Sequence, residues 1–194
     1  MKIKLMVVIF FIISCQKNNK EDKTISNYTT QINHIKNFAK EKNYNKNIAF
    51  LIDYSLHSGR NRFFVVDLKT NKFIKKGLVC HGDCKGINSN DFAKEFSNIN
   101  DSHCTSLGMA VVQERAYSKW GKNYKYWLKG LEKTNNNMRD RVVVLHAWSG
   151  MDDKEIYPTA LAPSFGCPTV SINFLDSLDV ILKANKNVLL YSFK

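Results

Sequence analysis

The chain has 194 residues, 44% of them hydrophobic, and 29 Lys and Arg outweigh 17 Asp and Glu to give a formal net charge of +12. That length can bury one good core, so a single domain is expected, and no internal repeat argues for more. The longest uncharged apolar run near the start, Leu5 to Ile13, is too short to cross a bilayer as a mature helix, which excludes a simple membrane-spanning reading of that segment.

In chain order, Lys2 and Lys4 precede that apolar run, the pattern of a secretory signal. The junction Ile12-Ile13-Ser14-Cys15 resembles a bacterial lipobox, which implies cleavage before Cys15 and lipidation of its thiol; an ordinary signal peptide with a coincidental cysteine is the alternative. Residues 1–14 are therefore expected to be a lipoprotein signal and residues 15–25 a polar tether, since Gln16 to Lys23 is almost entirely polar. Residues 26–194 are left as one domain. Export places the protein in the cell envelope, lipid-anchored and facing the periplasm or the cell exterior. No nucleic-acid partner is expected there. Loss of Lys2 and Lys4 takes the charge from +12 to +10, a balance suited to anionic headgroups or carboxylate-bearing wall polymer, or simply to a solvated lysine face.

Residues 26–43 carry Ile32, Ile35, Phe38 and Ala39 at spacings of three and four, predicting an amphipathic helix that ends near Asn43. Strands are expected at residues 48–52, 62–68 and 72–81, joined by turns at His57–Asn61 and Lys69–Asn71 in an antiparallel meander. Residues 82–103 are rich in Asn, Asp, Ser and Gly, and a loop this long is more often functional than filler. A strand at 107–112 precedes a segment crowded with Trp120, Tyr124, Tyr126 and Trp127, which reads either as a core edge or as one wall of a cleft. Strand 141–146, a loop at 147–163, a short helix near 173–184 and a last strand at 188–193 complete a mainly β fold.

Outside the leader the cysteines are Cys80, Cys84, Cys104 and Cys167. In an oxidising compartment a thiol is paired, buried or used. Cys84 and Cys104 lie in polar, loop-like surroundings and form the expected disulfide, although other pairings remain open at this stage. Cys80 ends the apolar stretch Gly77-Leu78-Val79-Cys80 and reads as a core thiol. The spacing His81-x-x-Cys84 with His103-Cys104 is too loose for a persuasive zinc site, and neither a metal nor an organic cofactor is expected.

The chemical signal is the pairing of His146, at the end of Val142-Val143-Val144-Leu145, with Cys167 in Ser164-Phe165-Gly166-Cys167-Pro168. An imidazole beside a thiol can raise the thiolate fraction that nucleophilic chemistry requires, and the interval is long enough for two adjacent strands to bring them together. His146, seventeen residues, then Ser164-x-Gly166-Cys167 resembles the active-site signature of the L,D-transpeptidases of YkuD type, in particular the murein L,D-transpeptidase catalytic domain branch. His81-Gly82, Phe96-Ser97-Asn98, Ser106-Leu107-Gly108, Gly130-Leu131-Glu132 and Arg141 extend the resemblance over residues 48–193. Two departures stand out: Phe165 occupies the place of a second histidine in the classical signature, and Pro163 the place of an arginine common in this branch, which removes a guanidinium for a substrate carboxylate.

The resemblance implies a β-sandwich or barrel-like L,D-transpeptidase fold with an N-terminal amphipathic helix and a short helix after the Cys167 turn. It also implies a cysteine acyltransferase acting on peptidoglycan stem peptides, in which a Cys167 thioester forms with His146 as general base and acid. Backbone N–H groups of the Gly166–Cys167 turn would be the oxyanion donors, the Ala147 carbonyl would orient the imidazole, and Ser164 would shape the turn or touch substrate. His81, Gly82, Ser106 and Arg141 would line the substrate cleft, and the protein would act as a monomer. The competing functions are L,D-carboxypeptidase hydrolysis of the same substrate and a catalytically silent peptidoglycan-binding lipoprotein. Papain-like and sortase chemistry fit less well, because the former places cysteine before histidine and the latter needs an arginine after the cysteine.

Overall fold

The computed structural model describes residues 25–194; the expected signal, Cys15 and nearly all of the tether lie outside them. A single 3₁₀ turn, Ile25–Tyr28, leads into helix α1, Thr29–Glu41. Strands β1 (Ile48–Asp53), β2 (Phe63–Asp67), β3 (Lys72–Gly77), β4 (Gly108–Tyr117), β5 (Tyr124–Gly130), β6 (Val144–Ala147) and β7 (Thr169–Val170) follow. Helix α2 (Ile172–Ala184) and strand β8 (Leu189–Phe193) end the chain. The fold is mainly β and barrel-like: all eight strands join one nearly closed sheet in the order β3-β2-β1-β8-β4-β5-β6-β7.

Strand β1 shows why the sheet has a core on each face. Ile48-Ala49-Phe50-Leu51-Ile52 is apolar throughout and sits between β2 and β8. Alternation sends Phe50 and Ile52 into one apolar cluster with Leu175, Leu178 and Leu182 of α2, and Ala49 and Leu51 into another with Ile32, Ile35 and Ala39 of α1. The two helices thus cover opposite faces. At the rim, β3 exposes Lys72, Lys75 and Lys76 along an edge strand, a charged edge that discourages pairing with another chain. Helix α1 is docked at its start by Tyr28, whose hydroxyl donates to Asp53 Oδ2 over 2.9 Å. Helix α2 is capped by Ser171, whose side chain accepts from Phe174 N.

The first three strands form the expected antiparallel meander, but the sheet as a whole is mixed. Strand β8 inserts between β1 and β4, parallel to the former and antiparallel to the latter, and β6 and β7 are also parallel. Strand β3 ends at Gly77 rather than continuing to His81. Residues 78–82 instead leave the β2 ladder and run beside the 164–169 segment. Strand β6 begins at Val144 rather than Arg141, because Arg141 to Val143 closes a turn: Val143 N donates to Met138 O over 2.8 Å, and Val142 sits at φ 58°. The aromatic segment divides between both expected roles. Tyr124 and Tyr126 are buried and donate to Asp176 and Asp179 of α2 at 2.5 and 2.6 Å, while Trp120 stands exposed on the preceding turn.

The 82–103 segment is braced. Asn88 is buried, and its amide donates to Gly82 O and Glu95 O while its oxygen accepts from Lys94 N and Glu95 N. Cys84 and Cys104 are joined by a disulfide with Cα atoms 4.2 Å apart. Closing a loop over 20 residues constrains the unfolded chain by about 3 kcal/mol, so Cys84→Ser is expected to lower unfolding stability by that order, seen as a lower urea midpoint than wild type under non-reducing conditions.

Candidate functional site

The site is built where β6 and β7 run side by side. Their register pairs His146 with Thr169 and Ala147 with Val170, so the turn that carries Cys167 enters β7 beside the histidine. On the far side residues 80–83 hold the same segment. Cys80 N donates to Thr169 O at 2.9 Å, Ser164 N to His81 O at 2.7 Å and Asp83 N to Ser164 O at 2.9 Å. The turn is therefore clamped by backbone hydrogen bonds from both neighbours.

Within it, Ser164 Oγ accepts from Gly166 N at 3.2 Å and donates to Cys167 O at 2.7 Å. Gly166 has φ 101°, and a Cβ there would come within 2.6 Å of Cys104 O; the position needs glycine for both reasons. The Gly166 N–H is thus taken up by Ser164.

His146 and Cys167 open onto one cavity of about 300 Å³ shared with Trp120, Trp148, Phe165 and Thr169. His146 Nδ1 lies 3.0 Å from Ala147 O. A carbonyl can only accept, so Nδ1 carries the proton and Nε2 presents a lone pair. That lone pair faces Thr169 Oγ1 at 3.1 Å. The Cys167 thiol donates to Val142 O at 3.8 Å and receives Val144 N–H at 3.5 Å. Val142, a β-branched residue held at φ 58°, thus has its strained backbone at the sulfur, where such strain commonly gathers. Burial pushes the Cys167 thiol up, opposed by Val144 N–H and by the Arg141 and Lys125 charges. Burial pushes His146 down, opposed by the Ala147 carbonyl and assisted by Lys125. Both shifts favour the uncharged thiol and the uncharged imidazole.

The remaining sequence candidates occupy supporting positions. His81 and Ser106 were expected to line the cleft, yet each is only 1% exposed. His81 is drawn inward because Arg62 Nη2 donates to its Nδ1 at 2.8 Å and its Nε2 donates to Ser89 O at 2.8 Å. Ser106 is turned to Ser97 O at 2.8 Å. Gly82 is buried with its N–H on Thr105 Oγ1, and a Cβ there would strike His103 O at 2.1 Å. Arg141 lies beneath the Cys167 turn rather than at its mouth. It donates to Ser97 O at 2.8 Å, Cys104 O at 2.7 Å, Ser102 Oγ at 3.2 Å and Ser106 Oγ. It thereby ties the disulfide-bonded segment to the floor under Gly166 and adds a positive charge near the sulfur.

Sequence reasoning passed over Thr169, Arg62, Trp148 and Lys125. Thr169 follows Cys167 by one strand repeat, so its proximity to the same neighbour was inferable. Arg62 is buried, its guanidinium satisfied by Val79 O and Leu56 O and pushed down to about 10 by burial, still cationic at neutral pH.

With this geometry in hand, the chain matches the YkuD_2 L,D-transpeptidase catalytic domain family over residues 18–192. The chain belongs to that family. The matched family is one of L,D-transpeptidase catalytic domains. No curated protein matches it. Similar solved structures include the helical cell shape determining protein Pgp2 of Campylobacter jejuni, at 12% identity and TM-score 0.47, covering 78% of this chain and 49% of that one. An L,D-transpeptidase from Mycobacterium smegmatis shows 11% identity and TM-score 0.45 over 76% and 58% of the two chains. The L,D-transpeptidase of Xylanimonas cellulosilytica shows 12% identity and TM-score 0.44 over 81% and 68%. The chain spans about half the length of Pgp2.

His81 generates a pH test. Burial beside Arg62 pushes it from 6.5 down to about 4, so the unfolded chain binds a proton that the folded chain refuses between those values. Its contribution is intact above pH 6.5 and is lost as pH falls toward 4, by roughly 3 kcal/mol in all. Urea unfolding at pH 7 and pH 4.5 is expected to show that fall, with a shallower one in His81→Gln, whose side chain cannot titrate.

Proposed function

We propose that this enzyme is a cysteine acyltransferase of peptidoglycan stem peptides, with Cys167 as nucleophile and His146 as general base and acid. The observation that carries the proposal is the parallel β6–β7 pairing, which sets both residues on one cavity with the imidazole tautomer held by Ala147 O. In the first step the thiol turns from Val142 O toward Nε2, displacing the Thr169 hydroxyl, and passes its proton to the imidazole. The sulfur attacks the carbonyl of the third stem residue, and the C–N bond to D-alanine breaks as His146 returns the proton to the leaving amine. An amine of a second stem then attacks the thioester and regenerates the thiol, giving a crosslink. Attack by water would make the enzyme a carboxypeptidase instead.

The shifts toward an uncharged pair support this order of events. A neutral His146 can accept a proton, whereas an imidazolium could not, and Val144 N–H with the Arg141 charge stabilises the thiolate as it forms. Since Gly166 N–H is bound to Ser164, the oxyanion contact falls to the N–H of Cys167 itself. Pro163 at the cavity wall leaves that wall without a guanidinium, so recognition of a stem carboxylate there is weaker than the branch pattern implies. Cys15 lipidation would hold the domain at a membrane, with the envelope as its workplace.

Incubation with a carbapenem is expected to add one acyl group at Cys167, seen by intact mass and peptide mapping, and Cys167→Ser is expected to abolish both the adduct and stem-peptide turnover while keeping the wild-type melting temperature. Absence of an adduct on the wild-type chain would instead favour a silent peptidoglycan-binding protein. Separately, Cys15→Ala is expected to move the protein from the membrane to the soluble fraction, and retention on membranes would refute lipid anchoring.

A further inference from the structure

Three large aromatic side chains stand at the mouth of the Cys167 cavity and remain exposed: Trp120 at 68%, Trp148 at 41% and Phe165 at 73%. Exposed apolar surface gathered at a cavity marks a binding surface more often than a packing accident. Each residue is also anchored by local structure, Trp120 through its backbone and Trp148 and Phe165 through ring contacts as well. Trp120 rides on a turn in which Ser118 Oγ accepts its N–H at 3.1 Å. The next residue, Gly121 at φ 59°, approaches so closely that a Cβ would lie 2.2 Å from Ala147 O. That is the carbonyl that receives His146 Nδ1, so the Trp120 turn is packed directly on the histidine's support. Trp148 donates its backbone N–H to Val170 O at 3.0 Å, and its ring lies over Gly150, where a Cβ would come within 2.8 Å. Phe165 rests on the His103 ring with centroids 4.6 Å apart, and His103 in turn stands 3.6 Å from Asp83 and 3.4 Å from Asp101.

Among the described residues, the cavity wall carries no Asp, Glu, Lys or Arg. Its chemistry therefore suits the uncharged part of a substrate rather than carboxylates or amines. Of the parts of peptidoglycan, the pyranose ring is the neutral one with a flat C–H face, and polarised C–H groups seat on the negative face of an indole. Resting on the stem-peptide assignment above, we infer that Trp120 and Trp148 form a sugar-stacking platform. On it the enzyme takes an amino-sugar ring of the glycan strand that bears the donor stem, so that the substrate is glycan-linked peptide rather than free peptide.

The test is binding to the full chain carrying Cys167→Ser, by calorimetry, with the soluble disaccharide-tetrapeptide and the free tetrapeptide as probes. The disaccharide form is expected to bind roughly tenfold tighter, and Trp120→Ala or Trp148→Ala to shrink that preference at least about fivefold, as truncating an aromatic anchor does. Trp120→Phe is expected to retain most of it. Equal affinity for the two probes, no measurable binding of either, or a preference unchanged in both alanine variants would each overturn the platform. The catalytic assignment is judged apart from this, by the carbapenem adduct on the wild-type chain, which needs no sugar.

Discussion

The arrangement depends on one short stretch of backbone pairing. The segment from Ser164 to Val170 is gripped by residues 80–83 on one side and by β6 on the other, and these hydrogen bonds decide where Cys167 stands relative to His146. Side chains alone could not do this, because a thiol on a free turn would lose its geometry to conformational entropy. Ser164 and Gly166 complete the clamp from within, one by bonding the turn to itself, the other by letting the Cys104 carbonyl approach.

Beneath the turn lies a second layer that never reaches the cavity. Arg141 gathers four backbone or hydroxyl oxygens of the 97–106 segment, the disulfide fastens that segment to residue 84, and Arg62 and His81 fill the space behind residues 79–81. Cations withdrawn from water, fully for Arg62 and partly for Arg141, are costly unless satisfied. Here carbonyl and hydroxyl oxygens satisfy them, and Arg141 remains near enough to Cys167 to favour its ionised form. The site thus obtains a positive field without placing a charge on the cavity wall.

The wall itself is aromatic and small. Trp120, Trp148 and Phe165 come from three separate loops, and they meet because Gly121 packs on Ala147 and because Phe165 sits one residue from the Gly166 turn. The polar chemistry is confined to a line running from Ala147 O through the imidazole to the Thr169 hydroxyl. An apolar surround around such a line keeps water away and strengthens each hydrogen bond in it.

The amino-acid sequence by itself determined both helices and six of the strands: Ile32, Ile35 and Ala39 on α1, and the unbroken apolar run of β1, are local patterns with a local cause, whereas β5, read only as an aromatic cluster, and the two-residue β7 carried no legible strand pattern. It also carried the spacing of His146 and Cys167 that marks the family. What only the tertiary structure decided were the partnerships. The parallel insertion of β8 beside β1, the end of β3 at Gly77, and the turn that delays β6 to Val144 depend on residues far apart in the chain. So do the inward burial of His81 and Ser106 and the place of Arg141 beneath the turn. A histidine or an arginine looks the same in sequence whether it faces a cavity or braces one. The distinction comes from which carbonyls lie within hydrogen-bonding reach, and those are brought there by long-range strand pairing that periodicity cannot encode.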